Sequence, residues 1–161
     1  MSDSELLRDF FDSVPGTPQF RRRNESIPGD LRVAWRISAV CLLLTKGRAN
    51  SLALEHLHVL WWAIRSTVSQ IQVVRAFDGQ SRPDDLLVRF DPSLAVSLDL
   101  ALGAGLIERG ATGTMKLTPA GLLLALNILD TAEAFEGEKL FLKKLPSKIT
   151  KTQFERILAW K

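Results

Sequence analysis

Between residues 89 and 127 the apolar positions change period twice, from helical three-and-four spacing to a short alternating run and back. Asp91 precedes Pro92, an N-cap followed by a residue whose φ is already helical and whose missing N–H is harmless at that position. Leu94, Leu98, Ala101 and Leu102 then repeat at helical spacing up to the Gly103/Gly105 pair, where the helix is expected to end. Leu106-Ile107-Glu108 reads as a strand, residues 109–113 as a glycine-containing tip, and residues 114–117 as the return strand. Thr118-Pro119 opens another helix, expected to run to about Ala134 with Leu122, Leu126 and Leu129 on one side. Helix, short β-hairpin, helix is the order of a winged helix.

The flanking pattern is helical. A helix is expected from Asp30 to about Thr45, apolar on most sides in its second half and therefore central. Asn50 or Ser51 caps the next, in which Leu54, Leu57, Trp61 and Ile64 recur; the pattern continues through Val68, Ile71 and Val74 to Phe77, with a bend at Ser66-Thr67. Residues 78–83 form a loop, and residues 86–90 a short strand leading into Asp91. After a break at Glu136-Gly137 come two short helices, the second opened by Thr150 with Gln153 at capping-box spacing. At the other end, residues 4–12 form a short amphipathic helix with Leu6, Leu7, Phe10 and Phe11 on its apolar side. It is followed by a proline-bearing arm, residues 14–29, that holds Arg21-Arg22-Arg23. The fold class is thus mainly α, a winged-helix-like core with extra N- and C-terminal helices, and the chain divides into an acidic helix and arm (1–29) and one domain (30–161).

Length and composition agree with that division. With 161 residues, 46% of them apolar and 24% charged, the chain can bury a single core without metals or disulfides. One cysteine excludes an internal disulfide, no secretory signal opens the chain, and no apolar run reaches membrane-spanning length, so a cytoplasmic protein is expected. The net charge of +3 is polarised: Asp3, Glu5, Asp9 and Asp12 lie near the start, whereas lysines dominate residues 136–161.

Residues that could carry a reaction are few. His56 and His58 are two apart on a helix and project about 200° apart, so they cannot share a metal from one face. Cys41 sits among Val40, Leu42, Leu43 and Leu44, the setting of a buried, inert thiol. No phosphate-binding loop, dinucleotide fingerprint or nucleophile elbow occurs. No catalytic, cofactor-binding or metal-binding residue is therefore assigned, and the chain reads as a non-enzyme. The helix beginning at Pro92 has no arginine, lysine, asparagine or glutamine to read a DNA groove, and the wing tip offers only Arg109. A winged helix used for protein docking fits this better than the alternative, a stand-alone winged-helix DNA-binding transcriptional regulator.

Binding residues follow from the same reading. Leu6, Leu7, Phe10 and Phe11 suit a helix-in-groove anchor, because nine residues are too few for a stable isolated helix, which needs roughly 12–15. Arg21, Arg22 and Arg23 can meet an acidic partner groove or phosphates. Trp62 lies off the stripe of Trp61 and either packs on a neighbouring helix or anchors a partner. Lys143, Lys144, Lys148 and Lys151 can meet an acidic subunit or DNA.

A central helix starting near Leu31-Arg32, then residues 52–66 (LALEHLHVLWWAIRS), VRFDPSL, GLIE, LTPAG and a terminal TKTQFERILAW form an ordered set. In order and spacing these segments resemble the small middle component of three-component ABC-ATPase systems, the group that includes the middle subunit of Lamassu-type bacterial antiphage systems. The resemblance covers about residues 31–160. It implies a non-catalytic adaptor without cofactors, bridging an SMC-like ATPase and an effector subunit, often a nuclease, in a hetero-oligomer. DNA would be met through the complex, with no role for a membrane. Being carried by core and cap residues, it transfers no contact residue.

Overall fold

The computed structural model describes residue 5, residues 29–81, 86, 88, 89, 91–110 and 112–158. The expected N-terminal helix with Leu6, Leu7, Phe10 and Phe11, and the arm with Arg21, Arg22 and Arg23, lie outside the described residues.

Helix α1 (Gly29–Leu44) is the axis of the fold, and Ala39 to Leu44 have no exposed surface at all. Six consecutive apolar residues can be buried only where neighbours cover a helix on every side. Helices α2 (Leu54–Ile64), α4 (Pro92–Gly103) and α5 (Pro119–Asp130) and strand β3 (Thr114–Leu117) supply that cover. Strands β1 (Ser51–Ala53), β3 and β2 (Ile107–Arg109) form an antiparallel sheet in the order β1-β3-β2. Its buried face carries Leu52, Met115, Ile107 and Leu117. The chain is mainly helical, and its succession of helix, strand, helices, strand and strand is that of a winged helix with one extra helix, α3 (Thr67–Phe77), inserted before α4.

Local chemistry accounts for the boundaries. Asp91 caps α4 by accepting from the Ser93 N–H at 2.9 Å, and Thr118 caps α5 by accepting from the Gly121 N–H at 3.2 Å while donating to the Gly105 carbonyl at 2.7 Å. Helix α7 (Lys151–Leu158) opens with the expected capping box: Gln153 Oε1 accepts from the Thr150 N–H at 2.8 Å, and Thr150 Oγ1 from the Gln153 N–H at 3.3 Å. The chain breaks between α2 and α3 at Arg65-Ser66, beside the expected bend.

Four expectations need correction. Ser51 is not a helix cap: it belongs to β1, and α2 starts at Leu54 behind Ala53, leaving Leu54 exposed instead of on the core stripe. Pairing with β3, a contact some sixty residues away, sets this three-residue strand. Leu86, Val88 and Arg89 lie outside any strand.

The core side of α5 is Gly121, Ala125 and Ile128, with Leu126 and Leu129 outward. A Cβ on Gly121 would sit 1.9 Å from the Leu106 carbonyl oxygen, so α5 lies too close to the wing for a large residue on that face. The fourth correction concerns the break after α5, which falls at residues 131–135, not at Glu136-Gly137 where α6 (Glu136–Lys144) begins. Phe135 takes a left-handed φ of 55°, and its ring stacks on Trp35 at 6.1 Å, which holds a conformation otherwise unfavourable for a bulky residue.

Candidate functional site

The helix that would read DNA in a winged-helix regulator is α4. It buries Leu94, Ser97, Leu98 and Ala101 and turns Ala95, Val96, Asp99 and Leu100 outward, Val96 with 55% of its surface exposed. Helix α5, which like α4 packs on α1, presents Leu123 (60% exposed), Leu126 and Leu129 at three-residue spacing. Leu140 of α6 is equally exposed.

Charge at the wing is internally matched. Arg109, the basic residue nearest the tip, lies 3.6 Å from Asp99 of α4, and Lys116 lies 3.3 Å from Glu108 across the hairpin. Both pairs are exposed and contribute little to stability. Their consequence is a surface without surplus positive charge toward a phosphate backbone.

The four C-terminal lysines are engaged in different ways. Lys148 donates to the Thr45 carbonyl and to Asn50 Oδ1 at 2.6 and 2.9 Å, tying the segment before α7 to the turn after α1. The same turn is held by the Ile149 N–H donating to the Lys46 carbonyl at 2.8 Å. Lys151 lies 3.5 Å from Glu155 one turn on. Lys143 and Lys144 occupy the last turn of α6, where cations suit the carbonyl end of a helix. Lys143, Lys46 and Lys139 line a groove of about 240 Å³ with Leu129 and Leu142. Burial, then Lys148, lowers the Lys46 pKa from the ordinary lysine value.

Trp61 and Trp62 separate as their helical angles require. Trp61 is buried, and its Nε1–H donates to Asp91 Oδ2 at 3.0 Å, an oxygen that also accepts from Arg65. Trp62 is half-buried, packs against the core and walls a cavity of about 420 Å³ with Arg65, Ser66, Ser69, Arg89 and Asp91. Of these residues only Trp62 is a binding candidate from the sequence; the others lie at the end of α2, at the start of α3 or just before α4, and nothing in their spacing marks them as neighbours.

Among the described residues no group of three or more His, Cys, Asp or Glu side chains could hold a metal ion. His56 is buried with its ring stacked on Phe154 at 4.2 Å, and burial lowers its pKa, partly offset by Glu55 and Glu155. Burial also lowers the pKa of His58. Cys41 is fully buried and its thiol is pushed up to about 11, far from the range of a nucleophilic thiolate. No described helix is long and apolar enough to cross a membrane.

No family model matches the chain, and no curated protein and no solved structure matches it.

Proposed function

We propose that the chain is a non-catalytic adaptor whose winged-helix core docks protein partners through the apolar outer faces of α4 and α5. The observation that carries this reading is the exposure of Val96 and Leu100 on the helix where a DNA reader would place donors to base edges. Exposed apolar strips on a folded chain are characteristic of partner surfaces. The pairing of Arg109 with Asp99 counts against a stand-alone regulator, since it takes up the cation nearest the wing tip. The segment order that resembles the middle component of three-component ABC-ATPase systems supports an SMC-like ATPase and an effector subunit as the partners, within a cytoplasmic antiphage complex.

Co-purification with the products of neighbouring reading frames tests the reading. The double variant Val96→Lys, Leu123→Lys should fold normally, both positions being exposed, and should lose partner capture. Capture that is indifferent to the double variant, or a purified chain that shifts duplex DNA with sequence preference at physiological salt, would overturn it.

A further inference from the structure

The cavity beside Trp62 joins features that the docking surface does not use. Helix α3 starts after Ser66, whose backbone is extended as in an N-cap but whose side chain makes no capping hydrogen bond. The first-turn amides of an α-helix have no intrahelical acceptor, and together with the helix dipole they favour an anion at that end.

A second observation is independent of the helix end. Ser69 is only 7% exposed, its hydroxyl has no hydrogen-bond partner among the described residues, and it lines the same cavity. The buried Ser97 shows the usual solution, donating to the carbonyl four residues back at 2.7 Å. Ser69 leaves that bond unmade and opens instead on the space before the helix.

The charge in the cavity also favours an anion. The Asp91 carboxylate is occupied by the Ser93 N–H, the Trp61 indole and the Arg65 guanidinium. Arg65 offsets its charge, and Arg89, exposed and without an ion pair among the described residues, remains as the net cation of the lining. At about 420 Å³ the cavity exceeds what a bare phosphate needs and falls within the size of small-molecule sites, about 300–1,000 Å³. The Trp62 indole in its wall offers a surface of the kind on which bases stack.

We propose that this cavity binds a nucleotide unit, with its phosphoryl group on the N-terminus of α3 between Ser66, Ser69 and Arg89 and its base against Trp62. The phosphoryl group belongs either to a free nucleotide or to a nucleic-acid strand, and the site stands whether or not the apolar face docks a protein.

Amide and indole resonances of the full-length, isotopically labelled chain, titrated with dAMP, adenosine and a short single-stranded oligonucleotide, test the proposal. Either phosphate-bearing probe should move the Val68 and Ser69 amides and the Trp62 indole, and adenosine should not. Saturation by dAMP identifies a free nucleotide. A response to the oligonucleotide alone, weakening with salt, identifies a strand. Arg89→Gln and Ser69→Ala should each weaken binding about tenfold, as expected for the loss of a hydrogen bond to a charged group. Arg89 is exposed and Ser69→Ala removes a single atom, so both variants should keep the wild-type melting temperature. Absence of any shift at millimolar probe, equal shifts with adenosine, or variants that titrate like wild type would each overturn the proposal.

Discussion

Asp91 gathers three donors from two helices on one carboxylate, and replacing it with alanine separates cap energy from core energy. Oδ1 caps α4 through the Ser93 N–H at 2.9 Å; Oδ2 accepts from the Trp61 indole of α2 at 3.0 Å and pairs with Arg65. Loss of the cap costs about 1 kcal/mol. Trp61 is 1% exposed, so its indole N–H would be stranded, at about 1–3 kcal/mol. The Arg65 side chain is half exposed, and its pairing adds at most a few tenths of a kcal/mol after screening.

Asp91→Ala should therefore cost about 3 kcal/mol, which for a chain of 161 residues lowers the melting temperature by about 6–12 °C. Asp91→Ser keeps a capping oxygen too short to reach the indole, so it should recover about 1 kcal/mol. Urea denaturation followed by far-ultraviolet circular dichroism measures these losses, and a double-mutant cycle with Trp61→Phe isolates the indole bond. In the Trp61→Phe background Asp91→Ala should cost only the cap. A loss from Asp91→Ala as large in that background as in wild type, or a serine variant no better than alanine, would refute the assignment.

Two further outcomes follow from the packing and the histidines. Gly121→Ala should destabilise by about 1–3 kcal/mol because its Cβ meets the Leu106 carbonyl at 1.9 Å, whereas Gly103→Ala, with nothing within 4 Å and an ordinary φ, should stabilise by about 0.4–1 kcal/mol; thermal melts of the two variants decide. His56 and His58 have native pKa values lowered by burial, so the unfolded chain takes up protons first as pH falls. Their contribution is complete above the ordinary imidazole value of about 6.5 and is lost as pH falls from there toward the depressed native values. Unfolding free energies across pH 5 to 7.5, where carboxylates weigh least, should rise with pH, and His56→Gln should flatten the rise; an unchanged slope in that variant would contradict the burial argument.

The sequence disclosed most where a local signal was also the structural cause. Asp91-Pro92, Thr118-Pro119 and Thr150 with Gln153 start helices through bonds between residues two or three apart, and all three are present. The run from Ala39 to Leu44 could be buried only at the centre, and it is. Strand β1 was missed because three residues carry no period and depend on a distant partner. The face of α5 was misassigned because leucines recur around most of that helix, and the deciding fact is the small volume of Gly121 against the wing. Of the candidate site, Trp62 was legible as the residue off the stripe. Ser69 and Arg89 were not, since residues twenty positions apart become neighbours only through the chain's return to α4.

The apolar faces also bound how strongly this core can hold a partner alone. Val96, Leu100, Leu123, Leu126 and Leu129 are roughly half exposed, so burying the remainder stabilises by about 1 kcal/mol each, taking half the value for complete burial. The total, about 5 kcal/mol, only matches the lower part of the rigid-body cost of association, about 4–15 kcal/mol. Lys143 and Lys144 at the end of α6 would raise the encounter rate with an acidic subunit more than the affinity. Under the adaptor reading a durable complex then needs a second attachment on the same chain, which converts one weak contact into part of a bivalent one at high effective concentration. Residues 4–12, with Leu6, Leu7, Phe10 and Phe11 beside four acidic residues in the first twelve, have the composition for that attachment. Residues 13–28 between them and α1 are sixteen, enough to reach about 50 Å when extended, so one partner could engage both.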